Sequence, residues 1–454
     1  GPTVTYVVNR NINYTNICLY RCGFCAFSKG GSKALRGPGY LLDLGEIARR
    51  TAGTAPASRP IRRIVDRALA GRALDPGDIV TLFCVDGADS RHVLAAADRL
   101  REDTVGPTVT YVVNRNINYT NICLYRCGFC AFSKGGSKAL RGPGYLLDLG
   151  EIARRTTEAA ARGATEVCLQ GGIHPEFTGE TYLDILAAVK GAVPGMHAHA
   201  FSPLEVTHGA RTLGLSLSTF LGRLKEAGLA TLPGTAAEIL DDEVRAVICP
   251  DKVRTDEWLE VMRTAHRVGL RSTATIMFGH VDQPLHWARH LLRVRQLQEE
   301  TGGFTELVPL PFVHMEAPLW RKGLARPGPT FREAVLMHAV ARLALNPCIV
   351  NIQASWVKMS PQGAAVCLQA GANELGGTLM NESITRAAGG VHGQEMEAQD
   401  LRRLTDEIGR PLGQRTTLYG RARADSGAPH SRAEVLPATT GSSPAATGMS
   451  LTAA

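Results

Sequence analysis

No stretch of this 454-residue chain is apolar for long enough to cross a membrane, and its first residues carry no secretory signal. Neither absence points to the membrane or secreted classes, and the expected setting is a reducing cytoplasm with no membrane partner. Charge of one sign is not concentrated either. The formal net charge is +8, from 50 Lys and Arg against 42 Asp and Glu, and it is spread along the chain. Short basic runs such as RPIRR (59–63) fall on helix-like segments and read as solvated faces, so no nucleic-acid partner is expected. A disulfide framework is missing as well. Of 11 cysteines, six fall in two copies of one short motif, and Cys84, Cys168, Cys249, Cys348 and Cys367 stand singly among apolar residues, as buried thiols do. With 44% hydrophobic residues the chain can bury a large core, in one big α/β domain or two domains.

What is present is the run Cys123-Leu-Tyr-Arg-Cys127-Gly-Phe-Cys130, placed just after a strand-like stretch. A structural zinc site wants a fourth Cys or His at close spacing, and none follows within the loop. Three thiols can instead hold three irons of a [4Fe-4S] cluster and leave the fourth open to a small molecule. Arg126, Gly128 and Lys134 make this a polar loop rather than a nest of inert buried thiols. The motif occurs twice, because residues 1–51 are identical to 106–156 and include Cys18, Cys22 and Cys25. The second copy is expected to be the working one. It runs on into TEAAARGATEVCLQGG, which supplies the next helix and strand, whereas the first runs into the linker AGTAPASRP. A single strand, loop and half-helix cannot keep water from a cluster.

The expected organisation is a non-functional duplicate (1–51), a linker (52–59), a helical segment (60–105), a barrel domain (106–420) and a disordered Ala/Ser/Thr/Gly/Pro-rich tail (421–454). Within 60–103 three amphipathic helices are predicted, the second capped by Asp75 and the third starting near Asp89. From Thr108 strands at 109–117, 166–172, 197–201, 272–278, 306–312 and 348–356 alternate with helices at 181–192, 217–228, 255–269, 284–300 and 331–345. Such βα units imply an α/β fold with parallel strands and right-handed crossovers. Closed, they form a (β/α) TIM-type barrel, complete or partial, with its site at the C-terminal ends of the strands, where the cysteine loop leaves.

The segments NRNINYTNICLYRCGFCAFSKG, CLQGGIHP, LPGTAAEIL, TIMFGHVD, LVPLPFVHMEAP, QASWVKMSPQGAAVCLQAGANELGGTLMNESITRAAGG and GRPLGQRTTLYG occur in this order. Together they resemble the CofH family of radical S-adenosylmethionine (SAM) enzymes, which supplies the second of the two radical SAM activities of FO synthase in coenzyme F420 biosynthesis. The likeness covers roughly residues 60–420. It implies a radical SAM barrel, with a [4Fe-4S] cluster on Cys123, Cys127 and Cys130 and SAM on its open iron. Phe129 holds the hydrophobic position of CxΦC, whose backbone meets the adenine. Gln170, Gly171 and Gly172 resemble a GGE-like strand end that meets the SAM amino group, though the wording departs from GGE. Glu238 is a candidate contact to the methionyl or ribose part of SAM, against the reading of an exposed cap acid. Ser202 is a candidate substrate contact, and Tyr125 and Lys358 are candidate pocket residues. His174, His197, His199, His280 and His314 fall near strand ends, and each reads more readily as structural than as catalytic.

The resemblance further implies a transferase joining the 4-hydroxybenzyl group of L-tyrosine to 5-amino-6-(D-ribitylamino)uracil. It implies a flavodoxin- or ferredoxin-type reductant and a CofG-type activity supplied elsewhere, since the first copy repeats the CofH motif. Two alternatives stay open. One is a radical SAM enzyme of the futalosine route to menaquinone, which shares TIMFGHV-like and GANELGGT-like wording. The other is a non-catalytic metal-binding protein, against which the intact QGG and GTAAE segments count.

Overall fold

The computed structural model describes residues 57–136 and 142–420, together with Ala422. The duplicate with Cys18, Cys22 and Cys25, and the tail apart from Ala422, lie outside the described residues. The helical segment comprises Arg59–Leu69, Pro76–Phe83 and Gly87–Val105. Asp75 caps the second by a capping box: its carboxylate accepts the Asp78 N–H at 2.8 Å, and the Asp78 carboxylate accepts the Asp75 N–H at 3.2 Å. The third starts two residues ahead of Asp89. The last two pack on helices Pro284–Thr301 and Phe331–Leu345, so this segment covers the outside of the barrel.

The expected strand 109–117 is two strands, β1 (Val109–Val112) and β2 (Asn114–Asn118), because the chain changes partners at Val113. From β2 the sheet runs in parallel, in sequence order, through β3 (Glu166–Gln170), β4 (His197–Ala200), β5 (Leu229–Leu232), β6 (Arg271–Phe278) and β7 (Phe304–Pro311). Each helix expected between 181 and 345 is present to within two residues at either end.

The strand expected at 348–356 is absent as a strand. Only Ile352 and Gln353 make bridges, to Leu307 of β7 and to Glu374 at the start of β8 (Glu374–Gly377). The reason is side-chain substitution in the ladder. The Asn373 amide oxygen takes the Ile352 N–H at 3.0 Å, and the Arg342 guanidinium takes the Val350 carbonyl. Met380 then bridges back to Arg115 of β2. Six parallel strands therefore form a curled half-barrel sheet, and single bridges at Ile352, Gln353 and Met380 carry the curl on toward β2.

β1 also pairs with β8 and with β9 (Leu412–Gln414), and the residues after β9 close the floor. Arg415 Nε donates to Glu374 Oε2 at 2.8 Å and Nη2 lies 3.6 Å from Glu306 Oε2. Tyr419 OH donates to Glu306 at 2.8 Å, and Thr417 Oγ1 donates to Glu166 at 2.7 Å. Glu166 and Glu374 open β3 and β8, and Glu306 is the third residue of β7. Burial pushes the Glu306 and Glu374 carboxyls up, and Arg415 offsets part of that rise. Arg415→Met removes the one cation from this floor contact while leaving two buried acids. It is expected to cost about 3–5 kcal/mol, read as a lowered urea midpoint.

Candidate functional site

A cavity of about 390 Å³ fills the barrel from its C-terminal mouth down to the Arg415 floor. The cysteine loop, which follows β2, forms one wall. Its backbone is tied on several sides: Leu124 N–H to Ile173 O at 2.8 Å, Gly128 N–H to Ile248 O at 2.7 Å, and Leu319 N–H to Gly128 O at 2.7 Å. Arg126 N–H donates to Asp251 Oδ2 at 2.9 Å. Cys127 is buried, and Cys123 and Cys130 are half-buried; all three line the cavity. Two sulfurs already accept backbone N–H groups, Cys123 from Ile173 at 3.3 Å and Cys130 from Ser133 at 3.4 Å. Burial pushes the Cys127 thiol well up, and the Lys252 ammonium acts in the opposite direction.

Tetrahedral thiolates around one zinc would place their sulfurs roughly 3.8 Å apart, given Zn–S bonds near 2.3 Å. Among the described residues the three cysteines do not form a group with all ligand atoms within 4.8 Å of one another. The three sulfurs are therefore not gathered around one small ion.

Gly171 and Gly172 follow β3 directly beneath the loop. A Cβ on Gly172 would stand 2.2 Å from the Ile122 carbonyl oxygen, and one on Gly171 would stand 2.2 Å from the Tyr119 ring. Their role includes letting the strand end approach the cysteine loop, a packing requirement beyond the ligand approach expected from sequence. Gln170 lines the cavity, with its amide donating to Cys168 Sγ at 3.3 Å.

Glu238 is no exposed cap acid. It lines the cavity in a left-handed conformation (φ 45°) and pairs with Lys252 Nζ at 2.7 Å, both side chains nearly buried. Burial alone would lower the Lys252 ammonium, but the Glu238 carboxylate and the Cys127 and Cys249 thiols hold it well above its ordinary value. The same ammonium lies 5.3 Å over the Phe129 ring. Ala236 and Leu379 also line the cavity with positive φ (64° and 53°), so backbone strain gathers at the barrel mouth. Glu238→Gln leaves Lys252 a nearly buried, unpaired cation. It is expected to destabilise the fold by about 3 kcal/mol, seen as a lower denaturation midpoint.

Ser202 lines the cavity, but its hydroxyl caps helix Pro203–Thr212 and donates to Glu205 Oε2 at 2.5 Å. Glu205 was not singled out from sequence. It is buried, accepts the Gly171 N–H at 3.3 Å and binds Tyr119 OH, joining three elements at the site. The Ser-x-x-Glu capping-box spacing was the signal that marked it. Lys252, on the turn after helix Asp242–Ile248, carried no local signal and was missed; Cys249 was noted only as a lone buried thiol.

Of the five histidines only His199 lines the cavity, hydrogen-bonded to Thr231 Oγ1 at 2.7 Å. His197 shares that hydroxyl at 2.8 Å, and burial brings it down to about 4. His280 pairs with Asp282 at 2.9 Å out of reach of the cavity. His174 stacks near Phe177 and His314 near Trp320, and neither lines the cavity. Tyr125 and Lys358 both line it.

Residues 117–293 match the radical SAM superfamily, and residues 301–420 match the CofH/MqnC C-terminal region. The chain is 47% identical over 366 residues to the 5-amino-6-(D-ribitylamino)uracil–L-tyrosine 4-hydroxyphenyl transferase of Methanopyrus kandleri, covering 80% of this chain and 98% of that protein. The chain belongs to the CofH-type family of radical SAM proteins. It is also 54% identical over 361 residues to the FO synthase of Nocardia farcinica, covering 79% of this chain but 41% of that protein. The chain thus spans about two fifths of the length of that relative. Methylornithine synthase (PylB) shares the fold, with a TM-score of 0.59 at 19% identity over 77% of this chain and 97% of the other. Radical SAM proteins, the CofH-type family among them, use a [4Fe-4S] cluster and SAM. The donor set here fits such a cluster: three cavity-lining thiols on one loop and a buried ammonium beside Cys127 to offset negative charge. No described helix is long and apolar enough to cross a membrane.

Proposed function

We propose that this chain is a radical SAM transferase that joins the 4-hydroxybenzyl group of L-tyrosine to 5-amino-6-(D-ribitylamino)uracil, the CofH step of FO formation. The observation that carries the reading is the likeness to the Methanopyrus kandleri transferase over 98% of that protein, combined with the cavity that the cysteine loop opens onto. Cys123, Cys127 and Cys130 would hold the cluster, and Phe129, Gln170, Gly171, Gly172 and Glu238 would border SAM. Bound there, cluster and SAM supply a 5′-deoxyadenosyl radical, the oxidising species for the tyrosine side of the reaction.

The residues of the chain do the rest. The curled sheet and the Arg415 floor border the cavity in which both substrates would be brought together. The polar wall offered by His199, Gln353 and Thr275 suits a pyrimidine carrying a polyol, and Phe312 and Val313 suit a phenyl ring. A flavodoxin- or ferredoxin-type reductant, and a CofG-type activity that cyclises the adduct, complete the proposal. Ser202 acts through the Glu205 cap rather than as a direct contact.

The test is an anaerobic assay of the reconstituted protein with SAM, tyrosine and the ribitylaminouracil, followed by mass spectrometry. The 5-(4-hydroxybenzyl) adduct together with 5′-deoxyadenosine is the expected result. Deoxyadenosine formed only with futalosine-type substrates would overturn the assignment while keeping the chemistry.

A further inference from the structure

Three cations line the cavity among the described residues: Lys252, Lys358 and Arg415. Two are already neutralised, Lys252 by Glu238 at 2.7 Å and Arg415 by Glu374 at 2.8 Å. Lys358 differs. Its ammonium donates to Thr385 Oγ1 at 3.2 Å, and no described carboxylate oxygen comes within 4.0 Å of it. The acid that acts most on it, Glu382, has both oxygens turned to the backbone N–H of Thr385, at 2.9 and 3.2 Å. An ammonium has three donors, and one is in use. Burial disfavours its charge, with Glu382 and Glu238 acting in the other direction, so an anionic group delivered to this point recovers a desolvation cost already incurred in the fold.

The position of Lys358 narrows the identity of that anion. The cysteines, Gly171, Gly172, Glu238 and Lys252 all fall within the stretch matching the radical SAM superfamily at large, whereas Lys358, Glu382 and Thr385 fall within the CofH/MqnC region. The shared part of the chain meets the shared cofactor, and the particular part meets the particular substrate. Lys358 follows the bridging residues Ile352 and Gln353, on the helix Trp356–Met359, and its neighbours Val357 and Ile384 give the same wall an apolar surface. A lone ammonium beside an apolar wall is the complement of an α-carboxylate beside an aromatic side chain.

We propose that Lys358 is the anchor for the α-carboxylate of the amino-acid substrate, an assignment that rests on the transferase reading above. Its ammonium and the Thr385 hydroxyl form the carboxylate subsite, distinct from the part of the cavity that meets SAM. Charge-assisted hydrogen bonds of this type discriminate by about tenfold to a hundredfold.

The experiment compares L-tyrosine with tyramine, the same molecule without its carboxylate, in equilibrium binding to the cluster-loaded protein. The wild type is set beside Lys358→Met and Lys358→Arg. Lys358→Met is expected to weaken tyrosine at least tenfold and leave tyramine unchanged, so the preference for tyrosine collapses. Lys358→Arg is expected to recover part of it, and SAM affinity is expected to stay at the wild-type value in both. Equal losses for tyrosine and tyramine would make Lys358 merely structural and overturn the anchor. A fall in SAM affinity with tyrosine unchanged would move the subsite to the SAM carboxylate and overturn it too. If the wild type forms the tyrosine adduct yet Lys358→Met keeps the full preference, the anchor alone falls. If the wild type neither binds tyrosine nor forms the adduct, the transferase reading falls and the anchor with it.

Discussion

Cys127→Ala is expected to reduce iron and sulfide in the reconstituted protein to background and to abolish SAM cleavage. Cys127 is the central thiol of the loop, the most buried of the three, and the one on which Lys252 is the leading charge. Its loss leaves two half-buried thiols, too few to hold a cluster that already relies on three protein ligands. The fold should survive, because the loop is held by backbone hydrogen bonds from Gly128, Leu319 and Leu124 rather than by the thiol. Circular dichroism and the denaturation midpoint should therefore stay near wild type while iron is lost. Cys249→Ala is the matched control. That thiol is buried beside Lys252 but outside the motif, and its variant is expected to load a full cluster. A Cys127→Ala protein that retains full iron and still yields deoxyadenosine would refute the ligand assignment.

Gly172→Ala is expected to be nearly as damaging, through packing alone. The added methyl would sit 2.2 Å from the Ile122 carbonyl oxygen, 2.8 Å from its carbon and 2.9 Å from Cys123 Cβ. Two of those atoms are backbone, so no side-chain rotation relieves the overlap, and the cysteine loop must lift from the end of β3. Overpacking of this kind costs about 1–3 kcal/mol. The larger effect is functional, because the loop that moves carries the cysteines. Iron content should fall sharply even where the protein remains folded. Gly195→Ala, with no atom within 4 Å of the new methyl, is expected to be neutral in both measurements. Equal iron loading in the Gly172 and Gly195 variants would show that the close approach of strand and loop does not matter.

Much of the barrel was legible because parallel strands buried on both sides read as apolar runs between helical periods. β3, β4, β6 and β7 and the five helices between 181 and 345 follow that rule. The rule failed at 348–356, where Arg342 and Asn373 side chains take hydrogen bonds that a ladder would use, and no local pattern announces such a substitution. β8, four residues containing two glycines, was equally silent because its pairing is set by partners from distant parts of the chain.

The site divides in the same way. Three thiols at CxxxCxxC spacing declare their chemistry locally, since a short loop is enough to bring them together. Gly171 and Gly172 were visible as a strand end, but the atoms that forbid a side chain there belong to Tyr119, Ile122 and Cys123, about 50 residues earlier. Glu238 was legible as a candidate SAM contact but stayed open against an exposed cap acid, because its partner Lys252 carries no motif. By itself, then, the amino-acid order determined the barrel class, the cysteine motif and the family to which the chain belongs. Only the tertiary structure decided that single bridges carry the curl on past β7, that Arg415 occupies the floor, and that among the described residues Lys358 alone of the cavity's cations is left without a carboxylate. Periodicity and spacing are properties of neighbours in the chain, whereas burial and charge pairing depend on groups that meet only after the chain has folded.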